Sequence, residues 1–210
     1  MRMYQITAFA SCISMLTACA SGGSPIVNVP APVVEKLETV TPGTNPPENI
    51  SVSDVLNDLQ GTWVGICQFL DPEDPDGGYE MSTLKVTGSD VNVETVVYSD
   101  SNCINRLERG FAQLGSSGQF SGFLALPGGS AATSPGASAF MDITFNKVMI
   151  DNQPLDPSVA AFFPEETTFD IVFVDGNTLY RGLLTDRLDA ETSVTRPQQL
   201  NVESPFTRQL

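Results

Sequence analysis

A chain of 210 residues with 25 acidic and only 10 basic side chains, a formal charge of −15 and no histidine already excludes several kinds of chemistry. The basic residues stand singly along the chain, so no cationic stripe exists to track a phosphate backbone, and nucleic acid is not an expected partner. Without histidine, Ser-His-Asp and Cys-His catalysis and most zinc sites are unavailable.

The first element is a leader over residues 1–18. Arg2 stands beside the amino terminus, an apolar run extends from Ile6 to Leu16, and the end is small. The run is shorter than the roughly 20 apolar residues of a spanning helix and is broken by Thr7, Ser11 and Ser14. It closes at Leu16-Thr17-Ala18-Cys19, which resembles the lipobox of bacterial lipoproteins. That resemblance implies cleavage before Cys19, a diacylglycerol on its sulfur and an acylated amine, with palmitate-type chains. Two or more acyl chains hold a protein stably at a membrane. Ala20, rather than Asp, follows the cysteine, which in this family implies delivery to the outer membrane of a Gram-negative cell envelope, facing either the periplasm or the cell surface.

Cysteine usage agrees with export. Cys12 leaves with the leader and Cys19 carries lipid, so Cys67 and Cys103 remain as an even pair in an oxidising compartment and predict a disulfide. Residues 19–52 read as the lipidated cysteine and a disordered tether rich in Pro, Ser and Thr, and residues 53–210 as one domain. Ser51 or Ser53 is placed to cap a short helical turn through Asp54, Val55, Leu56 and Leu59.

The remainder reads as strands at 61–70, 79–87, 91–98, 106–114, 118–126, 139–150, 167–174 and 178–185. Gly88-Ser89-Asp90, Ser116-Ser117-Gly118 and Asp175-Gly176-Asn177 separate consecutive runs as hairpin signals. Antiparallel neighbours joined by tight turns fit a sandwich or an up-and-down barrel. Closure removes exposed edges, so the expected fold is an all-β, eight-stranded antiparallel up-and-down barrel. The loop 127–138, rich in Gly, Ser and Ala, is expected to be mobile. The longer connection 152–166 carries Phe162 and Phe163 behind Asp156-Pro157-Ser158. One helical turn there is expected either to form a lid over an open end or to seal the bottom of the core.

Gly61-Thr62-Trp63 at the start of the first strand resembles the Gly-x-Trp signature of lipocalin and wider calycin barrels. The resemblance implies that Trp63 plugs the barrel base beneath an arginine from the last strand region, Arg181 or Arg187. The layout also resembles small lipocalin-like domains of bacterial lipoproteins, in which a tryptophan and cysteine on the first strand precede a Tyr-x-Asp-x-x-Cys segment. Tyr98, Asp100 and Cys103 occupy that pattern, which implies a bridge from the first strand to the end of the third.

Catalytic groups are sparse. Ser82-Thr83-Leu84-Lys85 matches Ser-x-x-Lys but lies inside a strand rather than at the start of a helix. The acidic loop with Asp71, Glu73, Asp74 and Asp76 lacks EF-hand spacing and reads as a solvated turn. No enzyme activity, metal or cofactor is expected. Two functions remain: a binding module whose barrel holds a small apolar or amphipathic ligand, or a structural body with a packed barrel that docks another envelope protein. Whether large side chains fill the inward positions discriminates the two.

Overall fold

The computed structural model describes residues 51–70, 78–112, 114–161, 163–185 and 189–210. Its elements in chain order are α1 (Val52–Leu59), β1 (Gly61–Gly65), β2 (Gln68–Phe69), β3 (Tyr79–Thr87), β4 (Asp90–Tyr98), β5 (Ser117–Ala125), β6 (Ser130–Ala132), β7 (Ala137–Ile150), β8 (Gln153–Pro154), α2 (Pro157–Ala160), β9 (Glu166–Asp175), β10 (Thr178–Arg181) and β11 (Phe206–Gln209). Eight of the strands form a closed antiparallel barrel in the order β1-β3-β4-β5-β7-β9-β10-β11, and β1 pairs both β3 and β11 to complete the ring. Among the described residues no helix is long and apolar enough to cross a membrane.

Alternation dictates which side chains enter the barrel. In β3, Glu80, Ser82, Leu84 and Val86 are buried, while Lys85 and Thr87 are exposed. In β4, Val91, Val93, Thr95 and Val97 take the same inward side, because Leu84 pairs with Val93 and Glu80 with Val97. The turn between β3 and β4 rests on Gly88, at φ +60, a conformation that a residue without a Cβ adopts at little steric cost. The ladder between β5 and β7 slips between Ser121 and Gly122. This bulge returns Phe145 to the inward face, where it packs against Phe120.

The strand count matches the sequence reading, but one expected strand is absent and an unexpected one takes its place. Among the described residues, 106–112 and 114 form no strand. β4 pairs directly with β5, so no gap is left between them, and only single bridges from Tyr98 to Arg106 and from Phe111 to Gly115 remain in this stretch. The chain bends there because the Asp100 carboxylate accepts from the backbone N–H groups of Asn102, Ile104 and Asn105, which curls the segment back over the barrel end. The eighth strand is instead β11, near the C-terminus, and residues 189–200 before it run along the barrel wall. Phe169 N–H donates to Ala190 O and Leu183 N–H to Gln199 O, supplying partners to backbone that β10 no longer covers.

The loop expected at 127–138 also carries structure, since β6 pairs with the first three residues of β7 and extends the barrel wall as a hairpin. α2 is the helical turn expected behind Asp156, whose carboxylate accepts from Ser158 N–H at 2.9 Å.

Candidate functional site

The candidate site is the barrel interior and its two ends. The lower end is closed by α1. Val55, Leu56 and Leu59 recur at helical spacing and pack into the core with Trp63, Leu84, Val86 and Phe206. The helix C-terminus leaves carbonyls without intrahelical partners. Side chains from the barrel supply them: Trp63 Nε1 donates to Leu59 O at 2.8 Å, and Arg208 donates to Gln60 O at 2.8 Å and to Asp58 O at 2.5 Å. The Arg208 guanidinium also lies 4.2 Å from the centre of the Trp63 ring, a cation–π contact.

Trp63 is thus fully buried at the base as the Gly-x-Trp resemblance implies, and the arginine over it comes from the last strand. That arginine is Arg208, not Arg181. Arg181 pairs with Val172 in the β9–β10 ladder, so its guanidinium reaches Asp170, with Nε 2.6 Å from Oδ2. The ion pair is held inside the wall, where Asp170 Oδ1 also accepts from Gly182 N–H at 3.0 Å. Arg187, the other arginine considered, lies outside the described residues.

The upper end is closed by residues 99–112 and 114–116. Cys103, in the left-handed region at φ 52, is disulfide-bonded to Cys67, with their Cα atoms 5.8 Å apart. This bridge fastens the loop after β4 to the chain between β1 and β2. Beyond it, Leu107 N–H donates to Val97 O, and Phe111 descends into the barrel to complete burial. Gly118 beneath it is sterically required: a Cβ there would lie 2.1 Å from the Phe111 ring. Phe111 packs edge-on against Phe120 at 5.9 Å and joins Leu70, Val97 and Ile150 in a second apolar cluster. Phe111 therefore covers this end of the barrel. Phe162 lies outside the described residues, and Phe163, half-buried, belongs to neither cluster.

Between the two caps the inward positions are filled. The lower and middle barrel holds Trp63, Leu84, Val93, Met141, Ile143 and Leu179, each with no more than 1 % of its surface exposed. The upper barrel is more polar. Ser82 and Thr95 share a hydrogen bond of 2.8 Å, and Gln68 Nε2 donates to Glu80 Oε1 at 2.9 Å. Glu80 is fully buried, and its Oε2 accepts no hydrogen bond. Burial pushes its carboxyl up to about 7, against a smaller opposing effect of the Gln68 hydrogen bond. The sequence reading passed over Glu80, although a signal was available: it shares strand parity with Leu84 and Val86.

On the outer wall, Arg196 crosses β7 and β9, pairs with Asp142 at 2.5 Å and stacks 4.7 Å from the Phe140 ring. A groove of about 350 Å³ runs between this segment and β6, lined by Ala131, Ala132, Phe140 and Val194 among others. No group of three or more Asp, Glu, Cys or His among the described residues is placed to hold a metal ion. Cys19 and the acidic residues Asp71, Glu73, Asp74 and Asp76 lie outside the described residues. No protein-family model and no curated protein sequence matches the chain.

Proposed function

We propose that this chain is a noncatalytic, lipid-anchored envelope protein whose packed barrel is a rigid body for docking another envelope component, rather than a carrier of a small apolar ligand. The filled interior carries this reading. Ligand sites are concavities of a few hundred Å³, whereas inward positions here hold close-packed aliphatic and aromatic side chains, with Phe111 inserted from one end and α1 from the other. The Leu16-Thr17-Ala18-Cys19 signature supports attachment at Cys19 and delivery to the outer membrane.

Three measurements test the two halves of the proposal. Metabolic labelling with a palmitate analogue is expected to mark the chain, and Cys19→Ala to abolish the label and leave a protein of precursor size. A Cys19→Ala protein that matures and remains in membranes overturns the anchor. Native mass spectrometry of the protein extracted in mild detergent is expected to show the barrel without a bound small molecule. In-cell photo-crosslinking from barrel surface positions is expected to give discrete adducts with another envelope protein. A stoichiometric apolar ligand retained by the extracted protein, or the absence of any discrete adduct, overturns the docking reading.

A further inference from the structure

Among the described residues, Oε2 of Glu80 is the one buried side-chain polar atom without a hydrogen bond. A neutral carboxylic acid tolerates such a position far better than a carboxylate, which requires partners or water. The place of this atom in the fold makes its charge consequential. Glu80 pairs across β3 and β4 with Val97, and Val97 is where the upper lid is seated. Leu107 N–H is bonded to Val97 O, and Gly110 presses so closely that a Cβ on it would lie 2.5 Å from the Val97 side chain. The deeper wall is lined by buried aliphatic residues and Trp63.

We infer that Glu80 makes the upper closure responsive to pH: the acid form is compatible with Phe111 seated in the barrel, whereas the carboxylate draws water under the lid and loosens residues 104–112 about the Cys67–Cys103 bridge. This inference is independent of the docking proposal. The groups bonded to or paired beside Glu80 are neutral, Gln68 from β2 and Val97 from β4, and the charged residues of the lid, Arg106, Glu108 and Arg109, are exposed. Other ionisable groups at this end have partners of their own or stand at the rim. Asp170 of β9 and Arg181 of β10 pair with each other, Asp151 is bonded to Ser116 and Ser117, and Glu166 stands partly exposed at the start of β9. None of them is bonded to Glu80 to compensate its charge. Its raised carboxyl puts the change of charge near neutrality, within reach of ordinary variation outside a cytoplasm.

The test is hydrogen exchange of the full-length chain in detergent micelles at about pH 5.5 and about pH 8, corrected for intrinsic exchange, for wild type and Glu80→Gln. Protection of peptides covering 104–112 is expected to fall about tenfold or more in wild type at the higher pH, with peptides of β1 and β11 unchanged and Glu80→Gln protected at both. An unchanged wild-type lid, an equal fall in Glu80→Gln, or a uniform fall across the barrel overturns the inference. A carboxyl titration of Glu80 by ¹³C NMR in wild type needs no variant, and a midpoint in the ordinary glutamate range, about 4 to 5, overturns it as well.

Discussion

The two ends of the barrel are closed by different physics. At the base, α1 contributes an apolar face, and each polar group that the closure buries finds a partner: Trp63 Nε1 and the Arg208 guanidinium meet the carbonyls of Asp58, Leu59 and Gln60. At the upper end the lid is an irregular segment with few backbone bonds to the barrel, fastened by a covalent bridge and one inserted ring, above an orphan carboxyl oxygen. The base is closed by satisfied packing. The top is closed by a staple over an incomplete polar cluster, and the least stable part of a fold is where functional motion is drawn from.

Breaking the base should cost most. Trp63→Ala removes a fully buried indole and is expected to destabilise by about 4 kcal/mol, read as a lower denaturation midpoint by circular dichroism. Breaking the top comes next. Replacing Cys67 and Cys103 together by Ser is expected to lose about 3 to 4 kcal/mol in the chain-entropy model for a separation of 36 residues. The loss should be accompanied by proteolytic cleavage within 99–116 before any cleavage near α1. Cleavage at α1 first would reverse the proposed order of weakness.

The third experiment sharpens the contrast through pH. The folded carboxyl of Glu80 stands at about 7, above its ordinary 4.5, so the fold favours the protonated form. Its contribution is intact below about 4.5 and is lost as pH rises through about 7, amounting to about 3 kcal/mol when complete. Glu80→Gln should therefore match wild type near pH 4.5 and exceed it in stability at pH 8 by up to that amount. Equal stabilities at both pH values would falsify the assignment. The smallest effect belongs to Arg208→Met, which keeps apolar cover over Trp63 but withdraws two hydrogen bonds and the cation–π contact, for a loss of about 1 to 2 kcal/mol.

The legibility of the sequence follows the same division. Strands with β-branched alternation, such as Val91–Val97 and Phe169–Val174, were readable because their partners are neighbours in sequence and their turns carry Gly88 and Gly176. The disulfide was readable from cysteine arithmetic, and Trp63 from its Gly-x-Trp setting. The last strand was not, because Phe206-Thr207-Arg208-Gln209 is too short to show a period and is ordered by pairing with β1, far away in sequence. Assigning the tryptophan's arginine to position 181 or 187 followed from that omission: with the wrong last strand, the wrong guanidinium is nearest. Residues 106–114 failed for the opposite reason. Leu107 and Phe111 are apolar residues of the kind a strand shows, but they serve a lid whose course is set by the Asp100 turn and the Cys103 bridge.

The pairing of Thr62 with Gln209 has a kinetic meaning. Every other neighbour contact in the ring lies between strands consecutive among the eight, but this one joins positions near the two ends of the fold. Loop-closure entropy makes such a contact slow relative to hairpins, so the meander from β3 to β10 is expected to form first and the ring to shut last. Until then β1 offers one unpaired flank and β10 another, the two edges along which an incomplete sheet recruits a stranger. Arg208, which reaches from β11 to the carbonyls of Asp58 and Gln60, ties the strand that closes the circle to the end of α1.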